Sequence, residues 1–166
     1  LEQLEEELKD KMKKLYLPQP DEKTGIIPQF DGYFDLKEID LSVYKNASVV
    51  GTIFHDYSGE DVQKMQAGKQ ADIVELLYQM EDITTPDNKA KNYVYYEART
   101  LHDSSLSKAI HSITACDLGM EKEAYEMFMS AALTDLGQEM KSSDAGIHSA
   151  NMGGVWQDVD SCIRGF

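Results

Sequence analysis

Cysteine is scarce in this chain: the two present, Cys116 and Cys162, form no CxxC pair and stand near no clustered histidines. That argues against a disulfide framework or a zinc site. Both read instead as reduced core residues, because free cysteine is among the most buried residue types. Apolar runs are also short, well below the roughly 18 consecutive residues that a membrane-spanning helix requires, so no membrane partner is expected. Basic residues are in deficit, with 16 Lys and Arg against 30 Asp and Glu for a net charge of −14. A field of that sign repels polyanions, which argues against nucleic acid as a partner. It also sets a condition: a phosphate site in this chain has to be made locally positive against its background. Finally, the chain opens on Leu1, and LEQLEEELKDKMKKL has neither the apolar run nor the cleavage pattern of a signal peptide. The expectation is a piece of a longer, cytoplasmic enzyme.

What is present is helical rhythm. Leu1, Leu4, Leu8, Met12 and Leu15 recur at helical spacing, so residues 1–17 read as an amphipathic helix ended by Pro18 and Pro20. Residues 18–60 break the pattern, hold three of the chain's four prolines and carry an aromatic cluster at Phe30, Tyr33 and Phe34. They read as one long ordered loop, of a length usually tied to function. Helical segments return over 61–66, 69–81, 86–98, 105–117, 120–134 and 148–164, with Gly or Pro near several joints. No strand alternation and no repeat period appear. The expectation is an all-α fold: a single fragment, 1–166, whose residues 61–166 form antiparallel helices in a bundle, solenoid or α/α toroid.

Four segments place polar residues where a core helix would not: Lys69 and Gln70 in GKQAD, Tyr95-Tyr96-Glu97, HDSSLS from His102 to Ser107, and GIHSANMGGVW from Gly146 to Trp156. The serines of HDSSLS precede a helical run, so Ser104 or Ser105 is expected at the N-cap, where hydroxyls, free amides and the helix dipole can hold an anion. An ordinary cap is the plainer reading. Lys69 and Gln70 open a helix and can pair with sugar hydroxyls or phosphate; a solvated helix end is the alternative. His148 falls near a helix start, ahead of Gly153 and Gly154. Glycine inside a helix costs about 1 kcal/mol relative to Ala, so the pair implies close packing or a functional need.

Taken together, IPQFDGYFDL, GKQADIVELLY, NYVYYEARTLHDSSLSKAIHS, AYEMFMSAALTDL and GIHSANMGGVWQ resemble, in order and over most of the chain, the phosphorylases of glycoside hydrolase family 65 that act on maltose, kojibiose, nigerose or trehalose. The resemblance implies part of an (α/α)6 toroid with one long irregular loop. It matches Lys69 and Gln70 to the pair that holds the transferred glucosyl ring, and Ser104, Ser105 and His148 to the phosphate-binding group. His102, Glu97 and Phe30 are further possible site residues. The implied reaction is inverting phosphorolysis of an α-glucoside to β-glucose 1-phosphate and a free sugar. Inorganic phosphate is the co-substrate, no cofactor or metal is expected, and the intact enzyme is expected to be a homodimer. The family's general-acid Glu lies in a GPDEY-like segment upstream of the Lys-Gln pair, which these residues lack, so no catalytic residue is expected here and the isolated piece should not turn over. The competing expectations are a toroidal glycosidase that uses water, and a noncatalytic helical module that binds carbohydrate or protein.

Overall fold

The computed structural model describes residues 2–45, 47, 49–70, 72–136 and 146–163. Eight α-helices occur among them: α1 (Glu2–Lys14), α2 (Ser42–Lys45), α3 (Gly59–Val62), α4 (Asp72–Gln79), α5 (Pro86–Glu97), α6 (Ser107–Asp117), α7 (Glu121–Ala132) and α8 (Ser149–Asp158), the last running into a π-turn at Val159–Ile163. No strand forms among the described residues; two isolated parallel bridges, Lys37 to Met65 and Gly68 to Thr100, are the sole sheet-like pairings there.

The centre is α6. It is buried nearly all round, from Ser107 to Ala115, which is the mark of a helix enclosed by others rather than lying on a surface. Helices α4, α5, α7 and α8 pack on it. Two of its buried hydroxyls are paired: Ser112 Oγ donates to the Ala124 carbonyl of α7 at 2.8 Å and Thr114 Oγ1 to that of Ile110 at 3.0 Å. These buried hydroxyls therefore avoid the penalty of an unsatisfied donor. Gly119, at φ 71°, ends the helix. The Met120 amide reaches back to the Ala115 carbonyl at 2.9 Å, closing a left-handed C-cap that turns the chain directly into α7.

Close approach explains one of the paired glycines. A Cβ on Gly154 of α8 would stand 2.9 Å from Ala109 Cβ of α6, whereas one on Gly153 would meet nothing within 4 Å. Asn151 Nδ2 then fastens α8 to α7 by donating to the Ala131 carbonyl at 2.8 Å.

Elsewhere, ordinary signals decide. Thr85 caps α5, its hydroxyl accepting from the Asn88 amide at 3.3 Å, with Pro86 in the first turn. Ser58 and Asp61 form a reciprocal capping box at α3. The segment from 18 to 60 is not featureless. It contains single helical turns at Tyr33–Asp35 and Thr52–His55 besides α2, and Asn92, fully buried on α5, pins its start by accepting from the Ile27 amide and donating to the Gly25 carbonyl. Its later half builds a small second core of Leu41, Ile53 and Leu101. Sequence reading misses these turns because they are too short to show a period. Cys116 and Cys162 are both free thiols, the second buried.

Candidate anion-binding site

At the start of α6 lies a cavity of about 260 Å3 lined by Ser104, Ser105, Lys108 and His102 with Asp103, by Lys45 and Ala47 from the long loop, by Ser130 and Thr134 at the end of α7, and by His148. At ~30 Å3 per water, the space admits an inorganic anion with a few waters. Three of the expected residues, Ser104, Ser105 and His148, thus meet across one hollow, and His102 joins them.

Helix boundaries differ from expectation by two residues. The N-cap of α6 is Leu106, in αR conformation and without a side-chain cap; Ser104 instead accepts from the Leu106 amide at 3.3 Å. The extra turn at 104–106 winds ahead of the regular helix, so both serines sit on a tight turn beside its start. His148 is the N-cap of α8. Asp135 holds it twice, Oδ2 accepting from the His148 amide and Oδ1 facing Nδ1, each at 2.7 Å. Those hydrogen bonds hold the Asp135 carboxyl below its ordinary value.

Two cations line the hollow that sequence reading does not single out. Lys45 closes α2 and pairs with Glu97 Oε1 at 2.6 Å, both side chains largely buried; it also donates to the Glu97 carbonyl. Lys108, in the first turn of α6, donates to Ser130 Oγ at 2.5 Å. They bring two ammonium groups to a hollow that Asp103 also lines, within a chain of net charge −14. Lys108 could have been found from its place three residues beyond Ser105, on the same helical face. For Lys45 no local signal exists, because its position depends on the long loop folding back.

Beneath the cavity lies a charged knot. Glu97 Oε2 accepts from His102 Nε2 at 3.0 Å. His111, fully buried, brings Nδ1 within 2.5 Å of the same oxygen, but neither of its ring nitrogens has a hydrogen bond of good geometry, so that attraction is mainly electrostatic. Burial works against the Glu97 charge, yet the contacts of His102 and His111 hold its carboxyl well below the usual range. Burial pushes the His102 imidazole down to about 4 despite the pull of Glu97. His102 is therefore neutral at pH 7, donating from Nε2 and accepting at Nδ1 from the Ser107 hydroxyl, 2.9 Å away. This double anchorage sustains a left-handed backbone at His102, φ 54°, a conformation costing roughly 1–2 kcal/mol for a residue with a Cβ. Glu97, His102 and His111 bring ligating atoms within 4.8 Å of one another, but a divalent cation there would meet the Lys45 ammonium on the same carboxylate.

Lys69 and Gln70 are placed differently. Both are exposed, and neither lines the cavity. The preceding Gly68 pairs in parallel with Thr100: its amide donates to the Arg99 carbonyl at 2.7 Å and its carbonyl accepts from the Leu101 amide at 2.8 Å. The Lys-Gln pair and the His102–Ser105 turn therefore start from neighbouring points of the fold. Phe30 is exposed, edge-on to buried Tyr33 at 5.6 Å, and also outside the cavity.

An all-α array with a polar hollow where two helix starts meet defines a class: a helical domain with a candidate small-ligand site at the ends of its helices. Residues 1–157 match the family described as the glycosyl hydrolase family 65 central catalytic domain, and the chain belongs to that family. It is 48% identical over 154 residues to a kojibiose phosphorylase of Halothermothrix orenii, covering 92% of this chain and 19% of that protein. It is 31% identical to a nigerose phosphorylase of Lachnoclostridium phytofermentans, covering 100% and 22%. A solved chain from the human microbiome with a provisional kojibiose phosphorylase assignment superposes with a TM-score of 0.76 at 30% identity, over 90% of this chain and 22% of that one. The fold is that of part of an all-α toroid, and the chain spans about a fifth of the length of these relatives. Among the described residues, no helix is long and apolar enough to cross a membrane.

Proposed function

We propose that this chain is the phosphate-holding part of an inverting glycoside phosphorylase. A phosphate oxygen attacks the anomeric carbon of an α-glucoside from the face opposite the glycosidic bond; that bond breaks, and the leaving oxygen takes a proton from a carboxylic acid outside these 166 residues. The products are β-glucose 1-phosphate and a free sugar. Phosphate is already nucleophilic, so no base carboxylate is required, in contrast to an inverting hydrolase that must activate water. What the site has to supply is position and charge.

One observation carries the reading: Ser104, Ser105 and His148 converge with Lys45 and Lys108 on a single hollow of about 260 Å3. In it the serine hydroxyls, the turn amides and the two ammonium groups hold the dianion, and the imidazole donates to it. Lys69 and Gln70 hold the glucosyl ring beside it, in a subsite whose remaining walls come from other parts of the protein. Glu97 and His102 act from beneath, through Lys45 and the 102–105 turn; Phe30 belongs to the acceptor side. The intact enzyme is a cytoplasmic homodimer needing no cofactor beyond phosphate, and light scattering of the purified protein checks its state.

The test is phosphate-dependent release of glucose 1-phosphate from kojibiose, nigerose, maltose and trehalose by the full-length protein that carries this chain. At least one substrate is expected to respond, with the isolated chain inactive on all. Release of free glucose at equal rates with and without phosphate would overturn the reading in favour of a hydrolase.

A further inference from the structure

Asp135 has no part in the chemistry described above, yet it contacts one site residue twice. Its two oxygens divide between two donors of one residue: Oδ2 takes the His148 amide and Oδ1 faces Nδ1, both at 2.7 Å. The first contact fixes the backbone at the N-cap of α8; the second fixes the ring about its own axis. With Nδ1 committed to Asp135, the nitrogen left to the cavity is Nε2. Nε2 then meets an anion in the cavity as a hydrogen-bonding partner of fixed direction. From these contacts we infer that Asp135 is a positioning residue, which aims the His148 imidazole at the anion. The inference rests on the phosphate reading given above.

The other titratable groups lining that cavity are Lys45 on α2, His102 and Asp103 ahead of α6, and Lys108 on α6. Asp135 sets a carboxylate in direct contact with the ring itself. An asparagine does not reproduce this arrangement. Its carbonyl oxygen can accept from the His148 amide, but its NH2 group then meets Nδ1 as a donor where the carboxylate met it as an acceptor. The ring is held, if at all, by the reverse hydrogen bond, and the negative charge beside it is lost.

The experiment compares Asp135→Asn and Asp135→Glu in the full-length protein, measuring kcat and KM for phosphate and for the disaccharide. For Asp135→Asn the KM for phosphate should rise about tenfold, the scale of one charge-assisted hydrogen bond. KM for the disaccharide should stay within about twofold of wild type. Asp135→Glu retains the charge but displaces it by a methylene, so KM for phosphate should again rise; this variant decides the matter alone if Asp135→Asn does not fold. Equal losses for both substrates mean a purely structural Asp135 and overturn the inference, as does an unchanged phosphate KM in either variant. If wild-type cleavage needs no phosphate, the parent reading fails instead, and the two failures are thereby told apart.

Discussion

Two regions of this chain carry the residues that the family resemblance assigns to substrates, and they are built to different degrees. The 102–148 region is enclosed: its serines, lysines and histidine face one hollow, its backbone strain is held by buried hydrogen bonds, and the helix beneath it is the most buried in the fold. The Lys69-Gln70 region is open, a bend tied by two backbone hydrogen bonds with both side chains exposed. The difference teaches where preorganisation resides. An anion has to be met by donors already in place, since reorganising dipoles around a charge costs what binding would gain. A sugar ring can be gripped from two sides, and in the proposed reading Lys69 and Gln70 supply one of them.

The comparison breaks most readily at the floor of the enclosed region. Ile113, fully buried on α6, should lose about 2–5 kcal/mol of stability as Ile113→Ala, the usual cost of an unfilled core cavity. Urea unfolding of the 166-residue chain measures it. A loss under about 1 kcal/mol, well below that range, would mean that α6 is not the rigid base on which the anion site rests.

Acid probes the knot below the cavity. His102 titrates near 4 in the fold, against an ordinary value of 6.5; the unfolded chain therefore binds its proton first, and stability rises with pH between those values. Glu97, held low against an ordinary value of 4.5, acts in the same direction, and its contribution is lost as pH falls further. Acidification from about pH 6.5 to about pH 4 should cost up to roughly 3 kcal/mol, at about 1.36 kcal/mol per pH unit of displacement. The variant His102→Gln should flatten that slope; an identical slope in the variant would place the acid sensitivity elsewhere. Lys108→Ala comes next, removing a cation from the hollow and raising KM for phosphate by roughly 10–100-fold, equivalent to ~1.4–2.8 kcal/mol. A matching rise in KM for the disaccharide would blur the boundary between the two regions.

How much of this could be read in advance follows the same division. Ser104, Ser105 and His148 stand out as candidates in the sequence because each sits where a helix begins, and helix starts leave a mark in local sequence. The cap itself slipped from the serines to Leu106 because an irregular turn at 104–106 has no period to betray it. Lys45 and Asp135 were invisible for a different reason. One reaches Glu97 across 52 positions and the other reaches His148 across 13, so these contacts exist only once the chain is folded. Gly154 lay between these cases: its cost in a helix signalled a close contact, but Ala109 as the neighbour came from packing.

The smallest expected effect on stability is the sharpest test of the open region. Lys69 is exposed and stands outside the anion cavity. Surface positions of that kind change stability by less than about 0.5 kcal/mol when truncated, so Lys69→Ala should leave the unfolding midpoint of the chain where it was. In the full-length protein the same change should raise KM for the disaccharide by about tenfold, from the lost hydrogen bond of a charged donor, and leave KM for phosphate unmoved. A variant that loses phosphate affinity instead would join Lys69 to the anion cavity, and the two regions would then have to be treated as one.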